Sequence, residues 1–223
     1  MTCARVAAIG LACLAALAAP AAAQTERDGS WEAGAGAVWL LGMDLGSSTA
    51  TLERPSGDPF VLFRTETSID GGPGAAVSVA WFATERLAIE AAFSYARPGV
   101  STRVTADVED AAPVTATLGL HQYVVDGGAR WYFSREPGRY QPFARAGAGY
   151  LRQLDADHAH VETGTLVHAG AGIDRLFRER ADGRIKRIGL RLDARVIGRS
   201  GGFDVEDAFR VSGAAGASIF FGF

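Results

Sequence analysis

The sequence predicts an all-β fold, an eight-stranded antiparallel up-and-down transmembrane β-barrel. Three observations predict it: apolar residues alternate with small or polar ones, the connections between the alternating segments differ systematically in length, and aromatic residues gather at the segment ends. Alternation with a period of two indicates strands rather than helices. After Gln24 no apolar stretch is as long as the roughly 18 residues that mark a transmembrane helix.

The N-terminal residues 1–23 are predicted to be a secretory signal peptide. Arg5 supplies a positive charge, Val6–Ala19 is an apolar run, and Ala21-Ala22-Ala23 forms a small-residue cleavage site. We therefore expect cleavage after Ala23.

The predicted mature chain consists of a short N-terminal segment over residues 24–30 and a barrel over residues 31–223. Cys3 and Cys13, which are both of the cysteines in the chain, lie in the predicted signal peptide, so no disulfide is expected in the mature chain. The net charge of −3 argues against a nucleic-acid partner, because phosphate backbones are bound by basic surfaces.

Eight segments are predicted to be strands. In order they are Trp31–Gly42, Gly74–Ala83, Leu87–Arg97, His121–Phe133, Tyr140–Arg152, Leu166–Phe177, Arg187–Ile197 and Ala208–Phe223. In each of them one parity is apolar and the other is polar or small, as in the third, where Leu87, Ile89 and Phe93 oppose Ala88 and Glu90.

The connections between these segments are short and long in turn. The short ones are Thr84–Arg86, Ser134–Arg139 and Arg178–Lys186, and the long ones are Met43–Pro73, Pro98–Leu120, Gln153–Thr165 and Gly198–Asp207. Short turns on one side and long polar loops on the other are typical of bacterial outer-membrane barrels. Within the first long loop, we expect the apolar stretch Phe60–Phe63 to extend a hairpin beyond the membrane.

The polar parity carries a balanced set of charges. Its acids are Glu32, Glu90, Asp126, Asp174 and Asp193, and its bases are Arg130, Arg145, Arg191, Arg195 and Arg210. A closed lumen requires such a balance because buried charges must be paired. We therefore predict a lumen charge network, and the alternative is the solvated face of an ordinary sheet.

Aromatic residues mark both ends of the segments and predict two membrane-interface girdles. At the short-turn ends they are Trp31, Trp81, Phe82, Trp131, Tyr132, Phe133, Tyr140, Phe177, Phe220, Phe221 and Phe223. At the long-loop ends they are Trp39, Tyr95, Tyr123, Tyr150 and Phe209.

With these features, the sequence resembles the small outer-membrane barrels of the OmpA-like and OmpX-like family. The resemblance rests on the signal peptide, on the stretch Arg139–Tyr150 and on the terminal Phe223. It implies residence in the outer membrane of a Gram-negative bacterium, as a monomer in contact with outer-membrane lipid and lipopolysaccharide. In that family an aromatic C-terminal residue belongs to the signal read by the barrel-insertion machinery.

The sequence leaves several functions open. We favour a structural or surface-interaction role through the long loops, with a partner that the sequence does not name, and the alternative is a narrow channel for ions or small solutes. A lipid-modifying enzyme of the Ser-His-acid type is disfavoured because the chain has no His-x-Ser motif, and we expect no enzyme activity. The pair His158 and His160 is assigned to a loop tip, so neither a metal nor a cofactor is predicted. A secreted soluble barrel of the lipocalin type is the rival fold.

Overall fold

The computed structural model describes residues 27–53, 59–105, 112–134, 139–155, 160–180, 183–203 and 208–223. The predicted signal peptide with its cleavage site and His158 lie outside these residues. Within them, no helix is long and apolar enough to cross a membrane.

The described residues form eleven strands, and all of the pairings between them are antiparallel. They are β1 (Trp31–Leu40), β2 (Met43–Glu53), β3 (Pro59–Ile69), β4 (Gly72–Phe82), β5 (Leu87–Ala96), β6 (Gly99–Thr105), β7 (Val114–Tyr132), β8 (Tyr140–Asp155), β9 (Val161–Glu179), β10 (Arg187–Gly201) and β11 (Arg210–Gly222).

Eight of these strands close a ring in the order β1, β4, β5, β7, β8, β9, β10, β11. The first and last strands close it along a register that runs from Glu32 opposite Gly222 to Leu40 opposite Ala214. Ring strands that follow one another in the sequence are also adjacent in the ring, so the barrel has up-and-down connectivity. The predicted all-β, eight-stranded antiparallel barrel is confirmed.

Three strands lie outside the ring and correct the prediction that the first two long connections are loops. β2 and β3 form a hairpin, β3 pairs with β6, and β6 pairs with the start of β7. We call β2, β3, β6 and residues 114–119 of β7 the loop sheet. Thr, Val and Phe recur in these segments, and such β-branched and aromatic residues favour strands.

The hairpin of the loop sheet begins with a bulge at Gly46. The register of β2 against β3 shifts between Asp44 and Gly46, and Gly46 has a φ of 107°. Its amide donates to Oδ1 of Asp44 at 2.8 Å. Because residues other than glycine rarely adopt this backbone conformation, the glycine at position 46 permits the bulge.

The outer surface of the ring is apolar along the length of its strands. Large side chains that face outward are exposed to a degree that a water-soluble surface seldom shows, such as Val125 at 57%, Leu192 at 47%, Val211 at 59% and Ile219 at 49%. On β5 and β7 this apolar band is about nine residues long. A tilted strand needs about this length to cross the bilayer core.

The interior is closed at both ends by apolar side chains. At the short-turn end, Phe82, Tyr132 and Phe143 form a buried cluster with Ala80 and Ala88. At the long-loop end two clusters fill the mouth, and their buried members are Leu45, Ile69, Leu120, Val124, Leu151 and Leu166. Charged residues occupy the space between these two caps.

Three aromatic residues assigned to the short-turn girdle are instead part of the interior. Phe82, Tyr132 and Phe220 are at most 2% exposed. Each has the same strand parity as a lumen charge on its own strand or a neighbouring one, so its ring points inward. Their positions near the strand ends predict the girdle. Whether a side chain faces the lumen or the lipid, however, depends on its parity along the strand.

The closing register allows a direct test of the ring. Ala37 lies opposite Ala217 on β1 and β11. Because directly opposed Cβ atoms lie about 4.5–5.5 Å apart, Ala37→Cys with Ala217→Cys should form a disulfide on mild oxidation. Cross-linked chains should migrate differently from reduced chains on a denaturing gel.

The control for this pair is Ala37→Cys with Gly213→Cys, in which the second cysteine is moved along β11 towards the long-loop end. It should cross-link much less. Equal cross-linking of both pairs, or none in the first, contradicts the closing register.

Candidate functional site

The densest group of charges lies in the half of the lumen near the short turns, where four ring strands contribute. Arg130 from β7 contacts Glu32 of β1 with Nη2 to Oε1 at 2.8 Å. Arg191 from β10 contacts the same Oε1 at 2.8 Å and also Asp174 of β9, with Nη2 to Oδ2 and Nε to Oδ1 both at 2.8 Å. Glu32, Arg130, Asp174 and Arg191 are each at most 3% exposed. The two contacts with Glu32 bridge strands that are not neighbours in the ring, whereas Arg191 and Asp174 lie on the adjacent strands β10 and β9.

A tyrosine joins this group that the sequence analysis assigned elsewhere. The hydroxyl of Tyr132 donates to Oδ2 of Asp174 at 2.8 Å and accepts from Nη1 of Arg130 at 3.0 Å. The guanidinium of Arg191 lies 4.8 Å from the ring centroid of Phe220 and 5.5 Å from that of Phe143. The arginines are thus held by carboxylates and by nearby aromatic rings. The even parity of Tyr132, shared with Arg130, was the signal that could have revealed it.

A second group lies nearer the middle of the lumen and is centred on Arg145 of β8. Its guanidinium contacts Glu90 at 3.1 Å, Asp193 at 3.3 Å and Asp126 at 4.0 Å. Glu90 also contacts Nε of Arg130 at 2.6 Å. Glu90 therefore connects the two groups into one continuous chain of charges.

His168 of β9 is a further member of the second group that the sequence analysis did not count. Its Nε2 lies 3.2 Å from Oδ1 of Asp126, and its side chain is 1% exposed. Arg195 of β10 approaches Asp126 less closely, with Nη1 to Oδ2 at 4.0 Å.

Arg210 does not lie with the carboxylates of the predicted network. It is the first residue of β11, and its Nη2 donates to the backbone carbonyl of Leu45 at 2.6 Å. Its parity is that of the lumen, as predicted, but its place at the strand end puts it at the mouth, against the loop sheet. The structure brings together the other nine predicted residues: Glu32, Glu90, Asp126, Arg130, Arg145, Asp174, Arg191, Asp193 and Arg195.

The N-terminal segment adds an arginine at the short-turn end. Arg27 is 4% exposed, and its guanidinium lies 4.5 Å from the ring centroid of Tyr132. Ser30 donates to the carbonyl of Arg27 at 2.6 Å and accepts from Nη2 of Arg187 at 2.9 Å. This segment covers the inner end of the lumen. Its position could not be read from alternation, since it precedes the first strand.

Apart from the three interior residues, the residues predicted for the two girdles fall into two groups. Eleven are substantially exposed on the outer surface: Trp31, Trp39, Trp81, Trp131, Phe133, Tyr140, Tyr150, Phe177, Phe209, Phe221 and Phe223. Tyr95 and Tyr123 are half-buried and pack on each other with ring centroids 5.0 Å apart. The hydroxyl of Tyr95 lies 2.7 Å from Nδ1 of His121, so these rings form a small polar cluster on the outer face at the long-loop end.

Glycines on the inward face leave room for the long charged side chains. A Cβ on Gly147 would lie 2.8 Å from Nε2 of His168, and one on Gly216 would lie 2.8 Å from Oδ2 of Asp193. A larger residue at either position would displace a charged group from its partner.

Two small cavities lie in the described part of the lumen. One cavity of about 50 Å³ lies below the apolar mouth, and another of about 40 Å³ lies beside Arg145 and Arg191. Arg195 lines both. The interior of an eight-stranded barrel is just wide enough for its own side chains. The arrangement can cross-link strands from within, and in the described part of the lumen it lies between the two cavities.

The geometry ranks the lumen arginines by their contribution to stability. Removing one member of a buried ion pair costs about 3–5 kcal/mol, because its partner is left buried and unpaired. Arg191→Ala leaves Glu32 and Asp174 each short of a contact at 2.8 Å, whereas Arg195→Ala removes one contact at 4.0 Å. Urea unfolding in detergent micelles should show the larger loss for Arg191→Ala.

Two further variants test the cause of that loss. Tyr132→Phe should cost about 1–3 kcal/mol, because the partners of the hydroxyl stay buried. Arg191→Ala combined with Glu32→Gln should cost less than the sum of the two single changes. Equal losses for the alanine variants of Arg191 and Arg195 are inconsistent with the ranking.

Comparison with known proteins places the fold. No protein-family description and no curated protein matches this sequence. Among solved structures, the outer-membrane protein OprG from Pseudomonas aeruginosa is similar over 89% of this chain and 97% of its own, with a TM-score of 0.52 and 9% identity. Neisserial surface protein A, NspA, is similar over 88% of this chain and 98% of its own, with a TM-score of 0.52 and 13% identity. At these identities the likeness is one of fold, and the chain has the fold of the small outer-membrane β-barrels.

Proposed function

We propose that this chain is an integral outer-membrane protein of a Gram-negative bacterium and acts at the cell surface through its long-loop end. The observation that carries the proposal is the polarity of the ring. Large apolar side chains such as Val125 and Leu192 face outward and are about half exposed, whereas Arg130 and Arg191 face inward and are at most 2% exposed. Lipid is the solvent that suits such a surface.

The orientation follows from the connections. In outer-membrane barrels the short turns face the periplasm and the long loops face outward. The loop sheet then stands outside the cell, and Phe223, whose amide donates to the carbonyl of Trp31 at 2.8 Å, lies at the periplasmic end. We propose that Phe223 contributes to recognition by the insertion machinery and that lipopolysaccharide surrounds the outer half of the ring in a monomer.

A surface-interaction role is supported by the loop sheet. It bounds a groove of about 760 Å³ whose lining includes Asp44, Glu66, Asp70, Ser101 and Arg103. These polar groups are presented on paired strands, so a ligand meets a preformed surface. A non-catalytic role as a surface protein needs no more than this, and we propose no reaction for the chain.

A narrow channel is the second candidate, and the two lumen cavities on either side of Arg195 favour it. Passage would require the charges between them to rearrange. Planar bilayers containing the purified protein separate the candidates, because a filled lumen gives no steady conductance and a channel does.

The proposed orientation can be tested with single cysteines. Thr49→Cys lies on exposed β2 of the loop sheet, and Glu85→Cys lies in the exposed turn between β4 and β5. On intact cells a membrane-impermeant maleimide should label the first and not the second, and both should react after lysis. Labelling of Glu85→Cys alone on intact cells inverts the topology.

The lipid-facing assignment is tested by a charge on the outer band. Leu192→Arg should destabilise the folded barrel by about 2–4 kcal/mol if the residue lies near the bilayer midplane. Thr115→Arg, at an exposed position of the loop sheet, is the matched control and should be tolerated. Folding into phospholipid vesicles, followed by heat-modifiable migration on gels, measures both. If the two variants fold equally well, the outer face of the ring does not contact lipid.

A further inference from the structure

The cavity below the apolar mouth of the lumen has a lining of mixed character. Its lining combines apolar residues of the mouth with polar and charged ones, which are Ser94, Gln122, Asp126, His168, Arg195, Arg199 and Ser212. A volume of about 50 Å³ exceeds the roughly 10–15 Å³ that one water molecule requires. The cavity can therefore hold a small polar guest.

The arginines of the charge network differ in how closely they contact carboxylates. Asp126 is the carboxylate of the cavity, and it is shared among Nε2 of His168 at 3.2 Å, Arg145 at 4.0 Å and Arg195 at 4.0 Å. By contrast, Arg191 holds two carboxylates of its own at 2.8 Å. Among the four arginines that the described part of the barrel brings into the charge network, Arg195 thus has the weakest carboxylate contact.

The imidazole of His168 supplies a second observation. His168 is 5% exposed, and its Nδ1 is buried without a hydrogen-bond partner among the described residues. Its Nε2 is directed to Asp126. A buried polar atom of this kind is normally satisfied by a protein group or by something bound beside it.

We propose that this cavity is a binding site for a small monovalent anion of the size of chloride or bromide. The guanidinium of Arg195 is its main donor, and an N–H at Nδ1 of His168 is the second. The hydroxyls of Ser94 and Ser212 lie in the same lining and can donate further hydrogen bonds. The bound anion would give Arg195 a closer contact than the 4.0 Å at which Asp126 lies. The proposal is independent of the role of the loop sheet.

Size decides which anions fit. Apolar side chains of the mouth, among them Ile69, Val124, Leu151 and Leu166, take up part of the cavity lining. Chloride and bromide fit a space of about 50 Å³, whereas gluconate does not. This difference provides a comparison at constant ionic strength, in which general screening of the other lumen charges is the same.

The first test is a crystal of the wild-type protein grown in sodium bromide. Anomalous diffraction at the bromine edge should show a peak in the cavity between Arg195 and His168. Bromide peaks at the protein surface with none in the cavity would overturn the proposal. This measurement does not depend on the folding of any variant.

The second test compares thermal unfolding of the purified protein in detergent, in sodium chloride and in sodium gluconate. The wild type should unfold at a higher temperature in chloride. Arg195→Gln should lose that difference, Arg195→Lys should retain part of it, and Arg152→Gln, at an exposed position outside the cavity, should leave it unchanged. A chloride effect that is as large in Arg195→Gln as in the wild type contradicts the site.

Discussion

The guanidinium of Arg191 is the contact on which the interior of the barrel depends. It reaches from β10 to Glu32 on β1 and to Asp174 on β9, and it approaches the hydroxyl of Tyr132 on β7 at 3.3 Å. Backbone hydrogen bonds join only neighbouring strands of the ring, so they resist separation of strands but not flattening of the cylinder. Side chains that cross the lumen hold opposite walls at a set distance.

Once such charges occupy the interior, the rest of the structure is constrained by the need to keep water and unpaired groups away from them. Glycines such as Gly147 and Gly216 leave space for the charged side chains, and apolar clusters close the lumen at each end. Arg27 completes the inner cap by placing its guanidinium over the ring of Tyr132. Across its wall the barrel is therefore the reverse of a soluble protein, with charged residues inside and apolar residues outside. At the two ends of the lumen, however, the buried residues are apolar.

Strand parity explains what could be predicted from the sequence. A period of two assigns each residue to one face, so alternation alone is enough to place the ring strands and most of the lumen charges. Parity says nothing about which residues on one face meet across the lumen. For that reason Arg210 was grouped with the carboxylates although it sits at a strand end, and Tyr132 and His168 were left out of the network.

The loop sheet was predicted only in part. The expected hairpin at Phe60–Phe63 is present as β2 and β3, but the remaining strands lie in a connection that was predicted to be a loop because of its length. The segments Gly99–Thr105 and Val114–Gly119 are nevertheless rich in Val and Thr. The length of a connection between barrel strands shows only how many residues lie outside the membrane. Whether that chain pairs depends on its β-branched content.

β7 belongs to two sheets at once, and this has a mechanical consequence. Its 19 residues pair with β5 in the ring through their second half and with β6 in the loop sheet through their first. At about 3.4 Å per residue the strand is roughly 65 Å long, and it is continuous from the loop sheet to Asp126 and Arg130. A force applied to the loop sheet is therefore transmitted to the charged groups inside the barrel through one continuous strand, Val114–Tyr132.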